Sequence, residues 1–257
     1  MEPTDRTRRP APSLPAPPSP PALPPLLPVA APSRRALLLG AGTLGAGLAL
    51  GTGAAAAAPP TLRRGDRGAG VKSLQQDLAN LRYWLGAVDG SFGHNTQQAV
   101  YALQKAAGLA KDGVVGPKTY SALSRGVQPK RRITSGVGVE VALGSQLLIA
   151  TTKGRLAYIF NTSTGSGERY YSGGRWKTAT TPKGDFQMYS LYSSGWQSGP
   201  LGNLYRPGYY DRGWAIHGST SIPTYPASHG CCRISVGATD MLWKASWFVK
   251  GRRVLIY

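Results

Sequence analysis

The apolar positions of this chain change their period once, near residue 130. Val71, Leu74, Leu78 and Leu81 recur at spacings of three and four, which places them on one face of a helix. Asp89-Gly90 interrupts that pattern. A second helix is predicted from about Asn95 to Ala107, burying Ala99, Val100 and Leu103, with Gly108 as its stop. A third, short helix is predicted to start at Pro117, a residue suited to the first helical position, and to end near Leu123. Asp89 to Thr96 and Asp112 to Thr119 share the pattern D-G-x-x-G-x-x-T, so the same glycine turn leads into a helix start twice.

From Ile133 onward the pattern is that of strands. Val137 to Val141 alternates, Gln146 to Thr151 is an apolar run, and Leu156 to Asn161 follows the turn at Lys153-Gly154. Glycine-rich turns separate further strands up to Trp214-Ala215-Ile216, and Val254 to Tyr257 closes the chain. Only Gly237 to Val249 reads as a helix here. The expected class is α+β: a small three-helix unit at residues 61–126, a short basic linker at 127–134, and a mostly β unit at 135–257.

Residues 1–58 carry a different signature. Residues 10 to 32 are dominated by proline and alanine and cannot bury enough apolar surface to offset their ordering entropy, so this leader is expected to be disordered. Ser33-Arg34-Arg35, the apolar run Ala36 to Leu50 and the small-residue tract Gly51 to Ala58 together form the parts of a secretory signal. The paired arginines point to twin-arginine export, with cleavage within Ala54 to Ala58. The competing reading is a membrane anchor. It is disfavoured because the run is rich in Gly and Ala, where a span needs about 20 strongly apolar residues. No cysteine lies near the cleavage region, which argues against a lipid anchor there.

The chemistry-bearing residues cluster. The chain has three histidines and two cysteines, and His217, His229, Cys231 and Cys232 fall within one short segment. Two adjacent cysteines close no loop, so a stabilising disulfide is not expected, and a functional thiol is. A thiol is a nucleophile as thiolate, and a neighbouring imidazole both lowers its pKa and takes its proton. Gly230 allows a tight turn before Cys231, leaving successive N–H groups free to face an oxyanion. His217 as a satisfied core residue and Cys231 as a buried small hydrophobe are competing readings. A zinc site is another, disfavoured because adjacent ligands at 231 and 232 are geometrically awkward. No metal and no cofactor is expected.

Two resemblances sharpen this. Leu62 to Gly68, Val71 to Leu81, Asp89 to Gly93, Ala99-Val100 and Asp112 to Pro117 together resemble the three-helix peptidoglycan-binding domain. That resemblance implies attachment to the wall. Phe92 is read as core, whereas Tyr83 and Trp84 are candidates to line a glycan groove. Ile216-His217-Gly218, followed by Ser228-His229-Gly230-Cys231-x-Arg233, is similar to the signature of the L,D-transpeptidase catalytic domain (YkuD type). Gln146, Ser163-Thr164-Gly165 and Thr181 to Phe186 support it.

The second resemblance implies a two-step acyl transfer on a peptidoglycan stem tetrapeptide, with Cys231 as nucleophile and His217 as base, its ring oriented by the Gly218 carbonyl. His229, Gly230 and Cys231 would supply oxyanion-hole N–H groups, and Arg233, Ser228 and Tyr210 would contact substrate. Arg233 as a loop-fixing salt bridge is the alternative for that residue. Tyr205, Tyr209 and Trp214 join Tyr210 as candidates for one cleft wall. The sequence departs from the family pattern at Cys232, where an aliphatic residue is usual, and in a short gap between His217 and Cys231.

Net charge enters last. The chain carries +19; without residues 1–58 it keeps 25 of 30 basic and 9 of 11 acidic residues, a net +16. Such a surface seeks polyanions. With an export signal, the expected partners are peptidoglycan stem peptides and glycan and the anionic wall polymers rather than nucleic acid, at the cell wall or secreted, with no stable membrane span after cleavage. A carboxypeptidase or endopeptidase using water as acceptor stays open beside the transpeptidase. A papain-like enzyme is disfavoured by its reversed Cys–His order, and a non-catalytic wall-binding protein by the intact Cys and His set.

Overall fold

The computed structural model describes residues 59–257. The expected leader and export signal lie outside these residues. Three helices come first: α1 (Ala69–Asn80), α2 (His94–Ala106) and α3 (Pro117–Ser124). Val71, Leu74, Leu78, Ala99, Val100, Leu103 and Phe92 form their shared core, as the periodicity predicts. The two D-G-x-x-G-x-x-T turns are built alike. Gln75 Nε2 donates to Asp89 Oδ1 at 2.9 Å, and Gly90 N–H donates to Gln75 Oε1 at 2.8 Å. Gln104 repeats both contacts with Asp112 and Gly113, at 2.7 and 3.0 Å. Each buried amide thus satisfies one turn, at net gains of about 1 kcal/mol per bond.

The β unit contains β1 (Gly138–Ala142), β2 (Leu147–Thr152), β3 (Arg155–Asn161), β4 (Arg169–Ser172), β5 (Arg175–Thr178), β6 (Gly184–Gln187), β7 (Ser190–Leu191), β8 (Trp196–Gly199), β9 (Gly202–Asp211), β10 (Trp214–Ser219), β11 (Cys232–Ser235) and β12 (Arg253–Ile256), with α4 (Val236–Lys244) between the last two. One sheet has the order β3-β2-β1-β12-β6, a second β11-β10-β9-β7 with β8 on β9, and β4-β5 is a separate hairpin. The helix expected over Gly237 to Val249 ends earlier, because Ser246 takes a left-handed φ of 56°.

The first sheet is covered on both faces. Val139, Val141, Leu148 and Ala150 pack inward against Ile216, Ile234, Leu242 and Phe248. Leu147 and Ile159 instead join the core of the three helices. The result is a three-layer arrangement of helices, first sheet and second sheet. It explains why β1 and β2 are buried at every position rather than alternating.

The junction between the units is tightly bonded. Trp84 N–H donates to Ile159 O at 3.0 Å and Ile159 N–H to Arg82 O at 2.8 Å. Lys105 Nζ, buried, donates to Gln146 O and Thr162 O, each at 2.9 Å. The segment expected as a linker is packed too. Ile133 is 1% exposed, and the Glu140 carboxylate accepts from the N–H groups of Arg132 and Ile133, each at 2.7 Å. Tyr83 is a correction to the groove expectation: it is 1% exposed, with its hydroxyl on Val127 O at 2.8 Å. Trp84 lies in the seam, its ring 6.0 Å from that of Phe160.

Candidate active site

β10 and β11 run parallel, with Ile216 opposite Cys232 and His217 opposite Arg233. Successive side chains on a strand face opposite sides. Ile216, Cys232 and Ile234 therefore enter the inner core, all fully buried. His217, Arg233 and Cys231, the residue before β11, take the other side and line a cleft of about 580 Å³. His217 Nδ1 lies 2.9 Å from Gly218 O. A carbonyl only accepts, so Nδ1 carries the proton and Nε2 keeps its lone pair.

The loop before Cys231 is braced from several elements. Ser228 Oγ donates to Cys231 O at 2.6 Å and accepts from Gly230 N–H at 3.0 Å. Thr181 Oγ1 donates to Gly230 O at 2.7 Å and accepts from Gly165 N–H at 2.9 Å. Thr164 O accepts the N–H groups of Ala227 and Ser228, while the Gln146 amide holds Thr164 through its N–H and hydroxyl. Gly230 has φ +131°, and a Cβ there would fall 2.5 Å from Trp214 Nε1 and 2.8 Å from Thr180 O. Only glycine fits this turn. Its N–H, expected to face an oxyanion, is instead engaged by Ser228. The N–H groups of His229 and Cys231 make no protein hydrogen bond among the described residues.

Comparison with known proteins follows this geometry. The profile of the L,D-transpeptidase catalytic domain (YkuD type) matches residues 136–256, and that of the peptidoglycan binding domain residues 67–123. The crystal structure of an L,D-transpeptidase from Xylanimonas cellulosilytica is 49% identical, with a TM-score of 0.75, over 78% of this chain and 98% of that one. This chain belongs to the L,D-transpeptidase family. It also resembles, over shorter stretches, the N-acetylmuramoyl-L-alanine amidases CwlL of Bacillus licheniformis (42% identity over 78 residues, 29% of this chain) and CwlM of Mycobacterium tuberculosis (43% over 53 residues, 21% of this chain). The chain spans 22% and 13% of the lengths of those two relatives.

In this L,D-transpeptidase, burial sets the protonation states. It lowers the His217 pKa to about 4, opposed by the Gly218 hydrogen bond and assisted by the Arg233 charge. The imidazole is therefore neutral near pH 7, a state in which Nε2 can accept a proton. Burial pushes the Cys231 thiol above its usual range, and a backbone contact at Ala215 and the Arg233 guanidinium pull it back. The Cys232 thiol is pushed up to about 12 by burial. Arg233 is half-buried and makes no ion pair among the described residues, so the salt-bridge alternative is not realised.

Tyr210 is a correction. It is 3% exposed, packs 5.4 Å ring to ring with Phe186, and its hydroxyl lies 3.8 Å from Cys232 Sγ. β9 alternation sends it to the core side, away from substrate. Trp214 alone of the four candidate aromatics lines the cleft, with Nε1 donating to Thr180 O at 3.0 Å. Sequence reasoning missed the β4-β5 hairpin, which brings Tyr170, Arg175 and Lys177 over the cleft. Tyr170 meets the His229 ring edge-on at 4.7 Å. Gly173-Gly174, both with positive φ, close the hairpin, and a Gly-Gly pair between aromatic strands is a readable signal for it.

Proposed function

We propose that the chain is an exported, wall-attached enzyme that forms 3→3 cross-links in peptidoglycan. His217 Nε2 takes the Cys231 proton as Sγ attacks the carbonyl of the third residue of a stem tetrapeptide. The bond to the terminal D-alanine breaks, and the imidazolium returns the proton to its amine. A thioester remains. The amine of a diamino acid on a second stem then attacks it, His217 takes the amine proton, and the thiol is restored as the new amide forms.

The N–H groups of His229 and Cys231 are the oxyanion donors in this reading, with Gly230 and Ser228 holding the turn that aims them. Arg233, joined by Arg175, Lys177 and Arg212 around the same cleft, binds substrate carboxylates. The three-helix unit holds the enzyme on peptidoglycan, and the net charge of residues 59–257 favours anionic wall polymers nearby. The observation that carries the proposal is the shared cleft face of Cys231, a neutral His217 with Nε2 free, and an unpaired Arg233.

Incubation with disaccharide tetrapeptide and mass spectrometry of the products tests it. The expected product is a cross-linked dimer with release of D-alanine. Tripeptide without dimer would make water the acceptor and the enzyme a carboxypeptidase, and no release of D-alanine would sink the proposal.

A further inference from the structure

A second cavity, of about 500 Å³, opens between the two units. The helical unit contributes Leu85, Ala87, Asp89, Ser91, His94 and Asn95; the β unit contributes Ser219 and Thr220 and the start of α4. Ser219 lines this cavity and the catalytic cleft alike. The two spaces therefore meet at one turn, Ser219 to Ser221, pinned by the Ser221 N–H on Ser219 Oγ at 3.1 Å.

The cavity opens beside a bonded seam: Leu147 and Ile159 are built into the helical core, and the Lys105 and Trp84 bonds tie the units together. Its volume falls in the usual range for small-molecule sites.

Its chemistry differs from that of the catalytic cleft. Arg175, Lys177, Arg212 and Arg233 line the cleft with no acid among its lining residues. The second cavity has no Lys or Arg lining it, and its one carboxylate, Asp89, is already held by Gln75 Nε2 and Ser91 N–H. A phosphate or carboxylate polymer would meet that carboxylate with Arg67, whose guanidinium donates to Ser91 Oγ at 3.3 Å behind the lining, as a nearby cation, against the four basic side chains of the cleft. A neutral ligand bearing hydroxyls and amides would find the Asn95 amide, the Thr220 hydroxyl and a small apolar patch at Leu85 and Ala87.

Distance selects among neutral ligands. Ser219 lies two residues beyond His217 on β10, roughly 7 Å along the strand. Three extended stem residues between a reacting carbonyl at Cys231 and the sugar that bears them reach roughly 10 Å. A stem peptide seated for attack is thus long enough for its own sugar to reach the shared turn.

We infer that the cavity between the units, joined to the catalytic cleft at Ser219, is a saccharide subsite that holds the glycan of the donor strand while its stem peptide lies at Cys231. The inference rests on the transpeptidase reading for the peptide's position. It makes the helical unit part of the substrate site rather than only a tether.

The test uses residues 59–257 carrying Cys231→Ala, so that binding is read without turnover. N-acetylglucosaminyl-N-acetylmuramyl tetrapeptide is expected to bind about tenfold more tightly than free tetrapeptide by calorimetry. Ala87→Trp, which fills the cavity from an exposed position, is expected to remove that gain, and Asn95→Ala to reduce it, with unchanged affinity for the free peptide. Equal affinities for the two ligands, or a gain that survives Ala87→Trp, would overturn the subsite. The disaccharide alone provides a readout independent of the peptide. It is expected to shift the His94 ring resonances in the parent and not in Ala87→Trp. No shift in the parent would count against the subsite even if the peptide binds, whereas a shift without any peptide binding would sustain the subsite and remove the transpeptidase reading.

Discussion

Cys231 directly precedes Cys232, the first residue of β11, and their side chains take opposite sides, so their thiols meet different surroundings. Cys232 is fully buried among Ile216, Ile234 and Tyr210, and burial holds it protonated with a pKa of about 12. Cys231 reaches the cleft beside Arg233. Cys231→Ala is expected to abolish the thioester adduct seen by intact-protein mass spectrometry, while Cys232→Ala keeps most of it and lowers the melting temperature slightly. A dead Cys232→Ala that is still folded would move the nucleophile. His217 makes a pH prediction with a definite sign. Its folded pKa, about 4, lies below the usual 6.5. As pH falls through 6.5 the unfolded chain takes the proton first, so stability is lost between pH 6.5 and 4, by roughly 2–3 kcal/mol. His217→Asn is expected to flatten that part of the denaturation profile. The acid limb of kcat/KM should likewise lie near pH 4, and a limb at 6.5 would contradict a buried neutral base.

At the scale of elements, Thr181 stands where three segments meet. Its hydroxyl joins Gly230 O of the loop before Cys231 to Gly165 N–H after β3. Thr181→Val keeps the shape and leaves both backbone groups without that partner, at a cost of about 1–3 kcal/mol. It is expected to lower kcat more than it raises KM, since it loosens the turn that aims the N–H groups; an unchanged kcat with lowered stability would make the brace structural only. Much of this architecture was legible beforehand. The helices announce themselves because Val71, Leu74 and Leu78 repeat on one face of α1 and Ala99, Val100 and Leu103 on one face of α2, and the turn before Cys231 because Gly230 and the paired Cys and His are local in sequence. The rest depends on contacts between distant segments. Nothing local tells that Glu140, inside β1, caps the N–H groups of Arg132 and Ile133, or that Gln75 and Gln104 serve the two Asp-Gly turns. Tyr210 misled because an aromatic shortly before His217 reads as cleft wall, until strand register turns it inward.

At the scale of the whole molecule, the helical unit and the first sheet share one core, so neither is indifferent to the other. Leu147 and Ile159 are each fully buried against the helices, and uncovering both would forfeit roughly 3–6 kcal/mol of a typical domain stability of about 5–15 kcal/mol. A chain of residues 127–257 alone is therefore expected to unfold at a clearly lower urea concentration than residues 59–257, and equal midpoints would show that the seam contributes little. The same seam holds Lys105, whose Nζ reaches Gln146 O and Thr162 O. Burial lowers its pKa to about 7, assisted by the Lys111 charge. A neutral amine has two N–H groups, one for each carbonyl, so deprotonation sacrifices neither bond. Above pH 7 the unfolded chain keeps a proton that the folded chain releases, so this residue makes stability rise with pH from 7 toward its unfolded value near 10.5. Between pH 7 and 8, below the range in which thiols and tyrosines titrate strongly, the rise is expected to approach about 1 kcal/mol. Lys105→Met cannot titrate and should remove it. Because Gln146 and Thr162 also hold Thr164 and the Arg233 carbonyl, the junction of the two units and the support of the loop before Cys231 are one hydrogen-bonded structure. The pH slope of unfolding reads the first, and the pH dependence of kcat in Lys105→Met against the parent reads how far it reaches the second.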